Sequence, residues 1–206
     1  MALYEELQDP VGRAEALSVL AQTQLEIESD EAVLAIAEEA LAIFRAEGAQ
    51  LQEGILLAEL GALAVQRDRY EAGLEQLTQA AQILAASPAE NSLQRDYYRG
   101  WTLFWQGRAD IGLQDFEPAR ERIAQALAIS RDAEIPLLEG SALFLEGVLD
   151  EIRSDYEAAL ATYRSSATIF TGLGTRGALR EPLVRMGEIY KSQGEAQDNH
   201  PELARC

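Results

Sequence analysis

The sequence contains very few of the residue types on which most catalytic sites depend. Its 206 residues include one His, one Cys and one Lys, namely His200, Cys206 and Lys191. Catalysis usually needs a nucleophile beside a base, paired carboxylates in a cleft, or a set of metal ligands. The densest group of carboxylates, from Glu26 to Glu31, does not have the spacing of a calcium-binding loop. We therefore expect no enzyme activity, no catalytic residue, no metal and no cofactor.

Basic residues, internal cysteines and long apolar runs are scarce as well. The 17 Lys and Arg are outnumbered by 35 Asp and Glu, for a net charge of −18, which disfavours nucleic acids and anionic membranes as partners because both attract clustered cations. A single Cys at the last position leaves no internal disulfide and fits a reducing compartment. No apolar run reaches the length of about 18 residues that a membrane span needs, and residues 1–6 do not resemble a signal peptide. We expect a soluble, cytoplasmic protein whose 48% of apolar residues suffice for a folded core.

What the chain does have is an internal repeat of about 40 residues. A column of small residues recurs at steps of 40, 46, 40 and 40: Ala21, Gly61, Gly107, Gly147 and Gly187. Four residues before each of them stands a leucine: Leu17, Leu57, Leu103, Leu143 and Leu183. Nine residues after three of the glycines stands an aromatic residue: Tyr70, Phe116 and Tyr156. Several columns that keep one register indicate a tandem repeat.

The pattern inside each repeat predicts two helices. Apolar residues recur three and four positions apart, for example from Tyr156 to Phe170, and a polar pair such as Ser154-Asp155 separates the two stretches. A small residue where two helices cross lets them approach closely, whereas a larger side chain would hold them apart. One pair cannot bury both of its apolar faces, so we expect the pairs to stack on their neighbours.

Three local features carry expectations of their own. Residues 172–177 fit the pattern G-x-G-x-x-G, which in dinucleotide-binding proteins follows a strand. Because this segment follows a predicted helix, we expect one of its glycines to form a left-handed helix cap instead. Six extra residues around 87–93 account for the 46-residue step and lengthen one junction or the helix after it. Pro182 falls inside the last predicted helix, where we expect a kink or a late start.

These motifs resemble the tetratricopeptide repeat in its long variety of about 40 residues. The segments that match best are Leu60-Gly61 with Tyr70-Glu71-Ala72, Gly147 with Tyr156-Glu157-Ala158-Ala159, and Met186-Gly187-Glu188-Ile189-Tyr190. The resemblance implies an all-α fold in the form of a right-handed α-solenoid of antiparallel helix pairs, in which the first helix of each pair lines a concave groove. The repeat register predicts four full repeats flanked by two half repeats over residues 1–195, followed by a flexible tail over residues 196–206.

A separate stripe on the first helices, about 120° from the leucine column, is apolar in the three central repeats. The resemblance implies that this stripe faces the groove. We expect the following residues to bind a partner: Ile55, Ala58, Val65, Tyr97, Trp101, Phe104, Arg108, Phe144, Val148, Val184 and Glu188. The alternative is that Trp101, Phe104 and Phe144 pack between adjacent repeats, since aromatic stripes at helical spacing often belong to a core.

The sequence therefore predicts a non-catalytic interaction module that holds an apolar or amphipathic helical segment of another protein. Residues 1–50 carry 11 acidic and 2 basic residues, whereas residues 151–206 carry 8 and 7. This asymmetry would steer a basic partner segment toward the N-terminal half, although acidic helix surfaces also serve solubility alone. A second hypothesis is self-association through the end half repeats, as part of a structural or regulatory domain of a longer protein.

Overall fold

The structure is a computed structural model that describes residues 9–25, 31–87 and 92–199. These parts of the chain contain nine α-helices and no strand. In chain order the helices are α1 (Pro10–Leu25), α2 (Glu31–Glu47), α3 (Gln50–Gln66), α4 (Tyr70–Ala86), α5 (Ser92–Gly112), α6 (Phe116–Asp132), α7 (Pro136–Ile152), α8 (Tyr156–Leu173) and α9 (Arg176–Asn199). The predicted all-α class is confirmed.

The helices pack on one another in the order of the chain. The most extensive contacts join α1 with α2, α3 with α4, α5 with α6, and α7 with α8. Only three residues separate α3 from α4, α5 from α6, and α7 from α8, so the second helix of each of these pairs must reverse direction to pack on the first. Each pair also contacts the helix that follows it. The predicted sequential packing of helices in adjacent pairs is confirmed.

The odd-numbered helices form a continuous row. Each contacts the next odd-numbered helix, from α1 to α3, α3 to α5, α5 to α7 and α7 to α9. No two even-numbered helices within the described ranges make a comparable contact. Consecutive odd-numbered helices therefore lie closer together than consecutive even-numbered ones.

Six turns between helices share one backbone conformation. In each turn one residue has a positive φ, between 53° and 68°: Gly48, Asp68, Gln114, Glu134, Ser154 and Gly174. The N–H of the following residue donates to a carbonyl five positions earlier, for example Asp115 N to Asp110 O at 2.8 Å, which is the Schellman arrangement. The positive-φ residues lie 20 positions apart, except for 46 between Asp68 and Gln114. The backbone thus repeats with the predicted period, and Gly174 is the left-handed cap expected in the glycine motif.

The irregular step in the repeat is located at the start of α5. The other four odd-numbered helices all begin seven residues before the leucine column, whereas α5 begins eleven residues before Leu103. As a result α5 has 21 residues, compared with 17 in α3 and in α7. The six extra residues therefore add one helical turn to α5 as well as lengthening the connection from Ala86 to Ser92.

The apolar core is divided along the chain rather than gathered at one centre. Leu17 and Leu57 belong to a cluster formed by α1 to α4, and Leu103 and Leu143 belong to another formed by α5 to α8. Smaller clusters join α3 and α4 to α5 and α7 and α8 to α9. Leu183, at the same position of the repeat, is 50% exposed.

Three glycines of the small-residue column have the close contacts that the sequence predicts. A Cβ added at Gly61 would lie 2.7 Å from Cγ of Leu77, and one added at Gly147 would lie 2.5 Å from Cε1 of Tyr163. At Gly107 the nearest atom would be 2.8 Å away. Real Cβ contacts are longer, so each glycine permits the paired helices to approach. Gly187 differs, because a Cβ there would meet no atom within 4 Å.

The last helix differs from its prediction. α9 begins at Arg176 and continues through Pro182, so the expected late start is wrong. Two interactions hold the segment before Pro182, namely the left-handed cap at Gly174 and the bond from Leu179 N to Thr175 O at 3.1 Å. The segment is therefore helical although Pro182 has no N–H to donate. α9 also extends to Asn199, so the first four residues of the predicted tail, 196–199, are helical.

Candidate functional site

Three recesses lie along the row of odd-numbered helices. The first, between α3 and α5, has a volume of about 220 Å³ and is called the aromatic pocket; it is lined by Ala58, Glu59, Ala62, Tyr97, Tyr98, Trp101, Thr102 and Trp105. The N-terminal recess, of about 460 Å³, is lined by Glu15, Ser18, Val19, Phe44, Gln52, Ile55, Leu56, Glu59, Gln94 and Tyr98. The C-terminal recess, of about 410 Å³, is lined by Tyr70, Arg108, Ile111, Gly112, Phe144, Leu145, Val148, Glu181 and Arg185. Together they are called the groove.

The wall of the aromatic pocket is a chain of rings on α5. The centroids of Tyr97 and Tyr98 are 5.3 Å apart, and those of Tyr97 and Trp101 are 6.4 Å apart. The ring of Phe104 contacts both tryptophans, with its centroid 5.3 Å from that of Trp101 and 5.0 Å from that of Trp105. All four contacts are edge-to-face, the arrangement that the ring quadrupoles favour. The ring contacts thus hold the wall in a defined shape.

Two polar groups distinguish the aromatic pocket from a plain apolar hollow. The Tyr98 hydroxyl donates to Oε1 of Glu59 across the pocket, at 3.4 Å. Burial, followed by the negative charge of Glu59 and by Tyr97, raises the pKa of Tyr98 to about 12. Nε1 of Trp101 is buried and has no acceptor among the residues that the structure describes; an unsatisfied buried donor costs about 1–3 kcal/mol.

Charge is distributed unevenly along the groove. Among the described residues, the side chains that line the aromatic pocket and the N-terminal recess include Glu59 and Glu15 but no Lys or Arg. The C-terminal recess contains Arg108 and Arg185 together with Glu181. Cζ of Arg108 lies 5.6 Å from the ring centroid of Trp105, within the range of a cation–π contact. The groove is therefore acidic toward α1 and of mixed charge toward α9.

The structure brings seven of the eleven predicted binding residues to the groove: Ile55, Ala58, Tyr97, Trp101, Arg108, Phe144 and Val148. Val65 and Phe104 do not line it. Val65 is fully buried against Leu77 and Ala109, and Phe104, only 6% exposed, packs in the cluster of α5 to α8. Phe104 fits the alternative of packing between repeats, whereas Trp101 and Phe144, which that alternative also named, line the groove and pack against the apolar clusters as well. Val184 and Glu188 are exposed on α9 and lie outside the three recesses.

Sequence reasoning missed Glu59, Tyr98, Thr102 and Trp105, which all line the aromatic pocket. They were missed because the stripe was defined by fixed offsets from the leucine column. A signal was present: five aromatic residues lie within nine positions of one helix, and four of them line the pocket, namely Tyr97, Tyr98, Trp101 and Trp105. Their helical spacing places them near one face of α5.

The strongly buried charged group outside the groove has a structural partner. Asp110 is 2% exposed, and its carboxylate accepts a bond from Arg122 on α6 at 2.5 Å. Burial raises the pKa of Asp110, and the guanidinium of Arg122 opposes this effect. The pair joins α5 to α6 and lines none of the recesses, so it serves the packing of that helix pair.

Neither the described residues nor the comparisons with known proteins point to a metal site, a membrane span or a family. Within the described ranges, no group of three His, Cys, Asp or Glu residues could hold a metal; His200, Cys206 and residues 26–30 lie outside these ranges. None of the helices in the described ranges is long and apolar enough to span a membrane. No family model matches the chain, and no curated protein matches it significantly.

Proposed function

We propose that this chain is a non-catalytic interaction domain that holds a peptide or helical segment of another protein in the groove. One observation carries the proposal: three recesses follow one another along the odd-numbered helices from α1 to α9, and the first two share Glu59 and Tyr98. A partner segment that lies across these helices would contact side chains from several repeats at once. Helical-repeat proteins bind their partners on extended concave surfaces of this kind.

The proposal includes the finer architecture, a tetratricopeptide-like, right-handed α-solenoid of four full repeats flanked by two half repeats. Two observations support it. The turns recur at intervals of 20 residues, apart from one interval of 46, as expected for stacked copies of one helix pair. Within the described ranges, consecutive odd-numbered helices contact one another, whereas no two even-numbered helices make a comparable contact, so the proposed array bends with the odd-numbered helices on its inner side. The groove then lies on the concave face.

The chemistry of the groove suits an amphipathic segment. Tyr97 is 42% exposed, and Trp101, Phe144 and Val148 are half-buried, so a partner can cover apolar surface that now faces water. Aromatic groups in such a position commonly dominate binding energy.

The test is to select ligands from a displayed peptide library and titrate them against matched variants. Tyr97→Ala should weaken a selected peptide about tenfold or more. Tyr156→Ala is the control, because Tyr156 is 39% exposed, close to the 42% of Tyr97, but lies on α8 outside the groove. Circular dichroism melting must show that both variants remain folded. Equal affinity of the wild type and Tyr97→Ala would place the binding site elsewhere.

Self-association is a second candidate function, favoured by an uncovered face on α9. Leu183, Val184 and Tyr190 are 50%, 45% and 46% exposed, and Gly187 between them meets no neighbour. A helix from a second copy could pack there as α8 packs on Gly147. Light scattering over a range of concentrations tests this candidate. A dimer that dissociates in Leu183→Glu would support it, and a monomer at all concentrations would eliminate it.

A further inference from the structure

We infer that the aromatic pocket binds a lysine or arginine side chain of the segment held in the groove. The inference rests on the proposed function and specifies the residue that anchors the partner. It concerns only the pocket between α3 and α5, and it names a ligand chemistry that the apolar character of the groove does not predict.

Aromatic rings enclose the pocket. Tyr97, Tyr98, Trp101 and Trp105 line a space of about 220 Å³, which is large enough for one long side chain but not for a helix. Ring faces attract ammonium and guanidinium groups, and tryptophan does so most strongly. Arg108 already lies over the ring of Trp105 at 5.6 Å. Arg108 lines the C-terminal recess rather than the aromatic pocket, so it leaves the pocket itself open to a second cation.

The charged groups around the pocket complement a cation. Glu59 lines both the aromatic pocket and the N-terminal recess, and Glu15 lines the N-terminal recess. No basic side chain of the part of the chain that the structure describes lines either of them. The raised pKa of Tyr98 agrees with a negative local environment, although burial is its larger cause. In a partly dehydrated pocket a carboxylate attracts a cation more strongly than it does in water. The net charge of −18 would add attraction at longer range.

Other occupants fit less well. An acidic side chain would be repelled by Glu59. An apolar side chain would bury the Glu59 carboxylate further without offering it a hydrogen bond or a charge, which is unfavourable. A basic side chain suits both the rings and the carboxylate, because its methylene groups cover the rings while its charged end reaches Glu59.

The pocket has a built-in reporter. The chain contains two tryptophans, and both of them, Trp101 and Trp105, line the aromatic pocket. Tryptophan fluorescence of the full chain can therefore be titrated with N-acetyl-lysine N-methylamide. N-acetyl-norleucine N-methylamide, which has the same chain without the charge, is the control at equal ionic strength. We expect the lysine derivative to produce its half-maximal change at a concentration about tenfold lower.

Two variants test the role of the carboxylate. Glu59→Gln keeps the acceptor for the Tyr98 hydroxyl and removes the negative charge, so it should weaken the lysine derivative about five- to tenfold. Glu117→Gln is the control, because it changes the net charge equally at an exposed position on α6. Equal responses to the lysine and norleucine derivatives, or equal binding by the wild type and Glu59→Gln, would overturn the inference.

Peptides selected for the groove separate this inference from the function on which it rests. Replacing each Lys and Arg of a selected peptide by norleucine should identify one position that matters in the wild type and loses its importance in Glu59→Gln. Peptides that bind the groove but show no such position would overturn the inference and leave the proposed function standing. Failure to select any groove-binding peptide would remove both.

Discussion

Replacing one glycine of the repeat by alanine should destabilise the protein where two helices cross, and stabilise it where the same position is uncovered. Gly147 and Gly187 occupy the same place in consecutive odd-numbered helices, α7 and α9. In both, alanine gains about 1 kcal/mol of helix propensity over glycine. The difference between the two variants therefore isolates the steric effect of one methyl group.

The steric effect at Gly147 follows from its contact with Tyr163. A Cβ would lie 2.5 Å from Cε1 and 2.7 Å from Cδ1 of that ring. The ring has no room to withdraw, because Tyr163 is 0% exposed and its hydroxyl donates to Oε2 of Glu151 at 2.8 Å. Overpacking of this kind costs about 1–3 kcal/mol. Gly147→Ala should therefore lower the free energy of unfolding by up to about 2 kcal/mol, whereas Gly187→Ala should raise it by up to about 1 kcal/mol.

Urea denaturation followed by circular dichroism measures both changes, with equal m-values as the condition for comparison. Thermal melting offers a second readout, at about 2–4 °C per kcal/mol for a chain of this size. We expect the two variants to fall on opposite sides of the wild type, or at least 1 kcal/mol apart. If Gly147→Ala is as stable as Gly187→Ala, then α7 and α8 do not approach closely at Gly147, and the packing role assigned to the glycine column is refuted.

Three further substitutions test the turns and the buried charges. Glu134→Gly should raise the melting temperature, because Glu134 has a φ of 53° and left-handed conformations cost non-glycine residues about 1 kcal/mol; Glu134→Ala should bring no such gain. Asp155→Ala should lower the free energy of unfolding by about 1 kcal/mol, because Asp155 accepts a helix-capping bond from the N–H of Ala158 at 3.2 Å. Asp115→Ala is the control, since Asp115 has the same position in its turn but no side-chain cap bond. It should lower the free energy of unfolding less in the same denaturation assay. Burial, followed by the charge of Asp150, raises the pKa of Glu146, so ionised Glu146 opposes folding, and wild-type stability falls as the pH rises through that pKa. Glu146→Gln should accordingly be more stable than the wild type at neutral pH, and the difference should vanish once the carboxyl of Glu146 is protonated at acid pH.

The sequence predicted the helix pairs and the glycine contacts well, because both depend on residue types that recur. A leucine and a glycine four positions apart define one buried face of a helix, and the column that contains Gly61 and Gly147 marks where a second helix crosses. The turns were less readable. Gln114 and Glu134 adopt positive φ without the glycine or asparagine that usually marks such a cap. The bond from Asp115 N to Asp110 O and the packing of the flanking helices hold this conformation, and neither has a signature in the sequence.

The groove was harder to predict, because an inner helix has more than two neighbours. α5 contacts α3, α4, α6 and α7, so a stripe 120° from the leucine column is itself partly covered. This is why Phe104 is buried while Tyr97, seven residues earlier on the same helix, is 42% exposed. Hydrophobic periodicity identifies the faces that are apolar. It does not identify which of those faces a neighbouring helix covers, since that depends on how the pairs stack.

Equivalent positions in the different repeats can be compared with one another. Positions that agree between repeats, such as Leu57 with Leu143 and Gly61 with Gly147, serve the packing that every repeat needs. Positions where one repeat departs from the others do not serve this shared packing. α5 departs most: it has an extra turn, and it supplies four aromatic residues to one pocket, whereas α3 contributes Ala58, Glu59 and Ala62 to the same pocket. Because the extra turn also brings Gln94 to the N-terminal recess, the irregular step in the repeat and the proposed anchor pocket belong to one helix. If the groove holds a partner as proposed, its affinity should therefore be more sensitive to changes in α5 than to changes in any other helix of the row.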